Sequence, residues 1–347
     1  MESQKINIQL PKTINPTNDF VTLYPKAYLK HIDLDLVRVE VHHNGLKLDV
    51  SGNTPIYTNT ITVDESYDEL LDESIFFLYD ETSLNYAHSF FNFFGKCLYF
   101  DELPNLKLAI LEDFWQEEGN ISHIKQWLEL YYKDKNIEII ILKKHIRYKI
   151  SNLIIPNTLY GFPMSHGDEL IMERIIETAS KISPIEVKSN GCYISRQDTI
   201  KRGWYNSKEW YHSRELVNEL ELIDKIKSEL GYDIIELMDY DIVGKIQIFK
   251  SYKNIIQQSS ASNINLLFSN KSNTNIIITH PKMEDWLGYK CHQFSNKSKT
   301  NLISLNDGGY CVAELKEGQT DGNNLAWELD NIDGIIEVLK QIDKGEI

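Results

Sequence analysis

A chain of 347 residues is long for one hydrophobic core and fits two domains. Its 42% hydrophobic and 11% aromatic content is that of a globular protein and excludes a disordered or low-complexity chain. A formal net charge of −15 disfavours nucleic acid as a partner and argues against a polybasic membrane anchor.

Met1–Pro11 holds no apolar core of signal-peptide length. No run of about 18 apolar residues occurs, so no transmembrane helix is expected. A cytoplasmic protein is expected, with peripheral membrane contact left open. Cys97, Cys192, Cys291 and Cys311 lie far apart with no CxxC pair. They read as free, mostly buried thiols in a reducing compartment, without structural zinc or a disulfide framework.

The first 60 residues read as β-rich. Val37–Val41 and Leu46–Val50 are extended runs around His43-Asn44-Gly45, and Asn-Gly is a strong hairpin signal. Ser74–Tyr79 is a short apolar strand. Asn85 to about Phe100 reads as a helix, aromatic nearly all round and therefore buried. A strand at Leu106–Leu111, a helix over roughly Ile121–Tyr132 and a strand at Ile137–Leu142 follow. Asp168 to about Lys181 has helical periodicity, and Ser183-Pro184 ends it. The domain boundary is placed there, giving an N-terminal domain of residues 1–182 and a C-terminal domain of residues 183–347.

In the second half, a strand that opens at Tyr193 ends in Ser195-Arg196, and the basic pair Lys201-Arg202 follows. Ser213 can cap a helix with apolar residues at Leu216, Val217, Leu220, Ile223, Ile226 and Leu230, stopped by Gly231. Asp233–Leu237 is a strand. Asp239 or Asp241 caps the next helix. Asn254–Gln257 is a buried strand, Ser259–Ser262 a polar turn, Asn263–Phe268 a short helix and Asn275–Thr279 another strand. Beyond residue 281 only a last helix, Ile332–Ile342, is distinct; it is free to pack back on the N-terminal domain. Strands and helices in alternation build a parallel sheet whose loops gather at one edge, where α/β proteins bind nucleotides.

Several residues carry candidate chemistry. Arg196, at a strand end, either pairs with a carboxylate or grips a diphosphate, which a planar guanidinium fits well. The Ser259–Ser262 turn is either a tight connection capped by hydroxyls or a phosphate cradle at a helix start. His88 falls in the first turn of a helix, where it is either a satisfied core histidine or a general base, for which its pKa is suited. Asn85 can cap that helix. His166, in a loop before a helix, and His280, at a strand end, are second-rank candidates. Asp33-Leu34-Asp35 and Asp239-Tyr240-Asp241 fit the pattern D-x-D, but Asp239 and Asp241 open a helix, where caps are expected, so no metal site is assigned. Trp204, Trp210 and Tyr211 are either core or a stacking surface.

The motif Asn85-Tyr86-Ala87-His88-Ser89-Phe90-Phe91 resembles the N-Y-x-H-F helix start of glycosyltransferase family 61. Tyr193-Ile194-Ser195-Arg196 is similar to its Y-I-S-R strand end. Ser259–Phe268 is similar to its H-G-A-x-L-x-N-L-L-F turn and helix, with Asn265, Leu266, Leu267 and Phe268 matching. The likeness runs in order over roughly residues 75–342. It implies a GT-B-type fold, two Rossmann-like domains facing a cleft, after the β-rich N-terminal segment. It also implies an inverting hexosyl- or pentosyltransferase that needs no metal cofactor, of the kind that builds capsule or surface polysaccharide. The donor is a nucleotide sugar, taken as a UDP-sugar, and the acceptor a glycan or lipid-linked glycan. The resemblance assigns His88 to catalysis and Arg196, Arg202, Ser259, Ser260, Ala261 and Asn265 to the donor. It leaves Asn85, His166 and His280 near the acceptor or at the margin. Two positions depart from the pattern: Ser259 replaces a histidine, and Asn92 stands where many members have an acid. The alternatives are a sugar-nucleotide epimerase and a non-catalytic nucleotide-sugar-binding or partner-binding protein of the same fold.

Overall fold

The computed structural model describes residues 4–7, 20–33, 38–43, 46–49, 56–60, 66–79, 86–115, 122–156, 166–197, 216–280, 289–305, 313–315 and 326–347. The chain divides into two compact units, Met1–Arg174 and Ile175–Ile347. Both are mixed α/β, and each has a sheet containing parallel strands.

The first unit is built on one nine-stranded sheet. Its strands are β1 (Gln4–Asn7), β2 (Phe20–Asp33), β3 (Arg38–His43), β4 (Leu46–Asp49), β5 (Ile56–Thr60), β6 (Glu69–Phe77), β7 (Lys107–Leu111), β8 (Ile139–Leu142) and β9 (Arg147–Pro156). The spatial order is β5-β4-β3-β2-β9-β6-β7-β8, with β1 added on β2. From β5 to β9 neighbours are antiparallel; β9, β6, β7 and β8 run parallel. The β-rich start and the following α/β segment therefore share a single sheet. β3 and β4 pair antiparallel with His43 opposite Leu46, and the predicted turn residues Asn44-Gly45 lie outside the described residues.

Against this sheet lies the aromatic helical stretch from Tyr86 to Asp101. Phe90, Phe93 and Tyr99 have no exposed surface, and Phe90 meets Trp127 edge to face at 4.9 Å. Such pairs add to the hydrophobic gain, about 0.5–1.5 kcal/mol each. The stretch is not one regular helix. Tyr86–His88 is α-helical, Ser89–Phe93 is a π-helical turn, Phe94–Lys96 is 3₁₀ and Cys97–Asp101 is α again. Periodicity locates the helix but cannot reveal the wide turn.

The second unit carries a five-stranded, fully parallel sheet: β10 (Gly191–Ser195), β11 (Asp233–Glu236), β12 (Asn254–Gln258), β13 (Thr274–Ile278) and β14 (Asn301–Ser304). The order is β11-β10-β12-β13-β14. The chain turns to one side of β10 to make β11 and to the other to make β12, so the topological switch point lies between β10 and β12. Tyr193, Ile256, Ile276 and Ile278 face a core closed by Leu222, Ile223 and Ile226 of one helical stretch and Ile335, Ile336 and Leu339 of the last helix, Ile332–Lys344. Gln257 and Asn275 alternate with these residues and so face the other way. There they meet the 3₁₀ turn Ala261–Phe268 and its flank: Ser262 Oγ donates to Gln257 Oε1 at 3.4 Å, and Ser269 Oγ to Asn275 Oδ1 at 3.2 Å.

One predicted helix starts later than expected. The apolar spacing from Leu216 suggests helix throughout, with Ser213 as cap; Ser213 is outside the described residues. The helix begins at Glu219. Leu216 instead bridges Trp327, and Val217 N–H donates to Trp327 O at 2.9 Å. The side chain of Asn218 then brackets Leu329: Nδ2 donates to Leu329 O at 2.8 Å, and Leu329 N–H donates to Asn218 Oδ1 at 3.1 Å. Trp327 and Leu329 belong to β16 (Trp327–Leu329), paired with β15 (Ala313–Leu315). The helix runs Glu219–Lys225, continues as a π-helical turn, Ile226–Leu230, and stops at Gly231, whose φ of 65° is the left-handed conformation glycine accepts readily. Of the two possible caps before Ile242–Ser251, Asp241 is the one used: Gly244 N–H donates to its Oδ1 at 2.7 Å.

Candidate functional site

Parallel pairing sets the geometry of the candidate site. Ile194 on β10 pairs with Gln257 on β12. Two steps further along the same register, Arg196 leaves β10 beside Ser259 leaving β12. The C-terminal edge of the sheet at its switch point therefore brings together Arg196 and the Ser259–Asn265 turn. Doubly wound folds bind ligands at such an edge.

A buried hydrogen-bond chain fixes this edge. Glu219, in the first turn of its helix, is 1% exposed. Its Oε1 accepts from the Tyr193 hydroxyl at 3.1 Å and from the Arg196 N–H at 3.0 Å; its Oε2 accepts from Gln197 Nε2 at 2.8 Å. Gln258 Nε2 donates to the Tyr193 hydroxyl at 2.8 Å. Burial pushes the Tyr193 phenol well above its ordinary pKa, and the Glu219 charge adds to this, while the Arg196 charge acts in the opposite sense. Tyr193 therefore stays protonated and donates to the carboxylate.

The serine turn is closed on itself. Ser259 N–H donates to Ile278 O at 2.9 Å, and Ser259 Oγ accepts from His280 N–H at 2.9 Å. Ser260 and Asn263 form a reciprocal capping box: Ser260 N–H donates to Asn263 Oδ1 at 2.6 Å, while Ser262 N–H donates to Ser260 Oγ at 3.3 Å and Asn263 N–H to Ser260 O at 3.1 Å. Four amides of this turn are thus already engaged. Its hydroxyl groups are engaged as well: Ser259 Oγ by the His280 N–H, and Ser260 Oγ and Ser262 Oγ with each other at 2.6 Å. Ala261 is half-buried at the tip, whereas Asn265 is fully buried within the 3₁₀ turn. His280 is fully buried too, its ring edge-on to Trp327 at 5.7 Å.

His88 stands in the other unit, half-buried at the point where the α-helical turn passes into the π-helical turn Ser89–Phe93. Such wide turns recur at functional sites. Next to it, Ser89 Oγ donates to Tyr86 O at 2.7 Å and lies 3.0 Å from His123 Nε2. His166 is the first residue of the helix His166–Ser180. Asn85, Arg202 and the aromatic group Trp204, Trp210 and Tyr211 lie outside the described residues.

Sequence reasoning missed Glu219, which falls among the polar positions of an amphipathic helix. One signal was available: an acid in the first helical turn after a strand ending in arginine. Among the described residues no group of three or more His, Cys, Asp or Glu side chains comes together as a metal site, and no helix is long and apolar enough to cross a membrane.

The family model described as Glycosyltransferase 61 matches residues 86–277, more than half of the chain. No curated protein matches it significantly. The matched span begins at the Tyr86 helix start and takes in both Arg196 and the whole Ser259–Phe268 turn.

Proposed function

Because the chain belongs to glycosyltransferase family 61 and is a glycosyltransferase, we propose that it is an inverting enzyme of the GT-B type. It takes a sugar from a nucleotide-sugar donor, read as a UDP-sugar, and transfers it in the cytoplasm to a glycan or lipid-linked glycan of a capsule or surface polysaccharide. The second unit takes the donor, and the first supplies the acceptor side.

One observation supports the donor assignment above the others: Arg196 and the Ser259–Asn265 turn leave neighbouring parallel strands at the switch point. The reaction needs two things. The acceptor hydroxyl must lose its proton as its oxygen attacks the anomeric carbon. The diphosphate must accept the electron pair of the breaking C–O bond. His88, as a neutral imidazole, is assigned the proton. Arg196 is assigned the charge growing on the diphosphate, with Arg202 as a second cation. A guanidinium in this role replaces the divalent ion that many transferases use, so no metal cofactor is invoked. The reading gives Ser259 and Ser260 a hydroxyl contact, Ala261 a close approach over its small side chain, and Asn265 the support of the turn. Asn85, His166 and His280 are left as acceptor-side or marginal positions.

The test is Arg196→Ala. A lost charge-assisted contact is worth about 1.5–3 kcal/mol, so donor turnover should fall by about ten- to a hundredfold while the melting temperature holds. Turnover equal to that of the wild type would remove Arg196 from the donor site.

A further inference from the structure

A carboxylate taken out of water is stabilising only if its partners replace the lost solvation. Glu219 is buried and receives three donors, and two of them, the Arg196 N–H and Gln197 Nε2, belong to the first residues past β10. The third, the Tyr193 hydroxyl, also accepts from Gln258 of β12. A carboxylate only accepts, so the Tyr193 proton points to Glu219 and the phenol oxygen is left to receive Gln258. The chain Gln258 to Tyr193 to Glu219 therefore has one polarity. It ties together the ends of the two strands that flank the switch point. Glu219 acts on the peptide of Arg196, one bond from the Cα that carries the guanidinium.

We propose that Glu219 is a positioning residue of the donor site: it fixes the Arg196 peptide, and with it the direction in which the guanidinium is presented to the donor diphosphate. The proposal rests on the donor-binding reading of Arg196 given above. The amide of a glutamine would lose the charge, and its NH₂ group would face either the Arg196 N–H, donor against donor, or Gln197, whose side-chain amide would have to turn to present its oxygen.

The test is a double-mutant cycle read by calorimetric titration with UDP, with each variant's melting temperature measured alongside. Glu219→Gln in the wild-type background should weaken UDP binding by about tenfold; in the Arg196→Ala background it should weaken it no further. Equal losses in the two backgrounds would show a merely structural role and overturn the proposal. Unchanged UDP affinity in Glu219→Gln, with affinity lost in Arg196→Ala, would overturn the proposal and leave the donor reading standing. Unchanged affinity in Arg196→Ala would overturn both. Should Glu219→Gln fail to fold, Gln197→Met carries the test, because it removes a single half-buried donor. It should weaken UDP binding by about threefold, again only when Arg196 is present. No change there would overturn the proposal equally.

Discussion

Asn218→Ala tests how the second unit joins elements more than a hundred residues apart. The Asn218 amide makes two hydrogen bonds to the backbone of Leu329, which is 4% exposed. Alanine removes both and leaves a buried carbonyl and a buried N–H without those partners. Each bond is worth about 1 kcal/mol net, and each orphaned group adds about 1–3 kcal/mol if water cannot reach it. Partial relaxation brings the expected loss to about 3 kcal/mol. For a unit of this size, each kcal/mol moves the melting temperature by about 2–4 °C, so a fall of about 6–12 °C is expected. Differential scanning calorimetry on the full chain, resolving the transition of this unit, measures it. A shift under about 2 °C would mean that Asn218 does not hold β16 to the start of the Glu219 helix.

Stability should also fall steeply in alkali. Tyr131, Tyr132 and Tyr193 are all pushed above the ordinary phenol value, burial being the main cause. The folded chain keeps protons that the unfolded chain releases near pH 10, so their contribution is complete below about pH 10 and is lost as pH rises, by up to about 1.4 kcal/mol per group per pH unit. Urea midpoints that stay level between pH 9 and about 11 would contradict this. The thiols should be inert: burial pushes Cys97 up to about 12 and Cys192 well above its ordinary value. Iodoacetamide at about pH 8 should leave both unlabelled in the native chain and modify them only after denaturation, because the thiolate is the reactive form. Native labelling of either at the rate of free cysteine, seen by peptide mass spectrometry, would refute their burial.

Much of the second unit could be read from local signals. The central parallel strands β10, β12 and β13 are buried along nearly their whole length and so read as short runs between turn signals, and the helices Glu219–Lys225, Ile242–Ser251 and Ile332–Lys344 each have a cap or a stop beside them. Arg196 and Ser259 could therefore be placed at one sheet edge from chain order alone. What escaped was non-local. Leu216 and Val217 continue a helical spacing, but pairing with Trp327 outweighs local propensity. The strand β9, Arg147–Pro156, has an irregular pattern because it lies between an antiparallel and a parallel neighbour. Glu219 looked like any charge on a helix; its burial depends on Tyr193, Arg196 and Gln197 arriving from another element.

The most direct test of the donor assignment is a crystal structure of the chain with UDP bound. The account predicts diphosphate oxygens within about 3 Å of the Arg196 guanidinium, at the edge where β10 and β12 end. A diphosphate seated away from Arg196, with the nucleotide held by other residues, would contradict it.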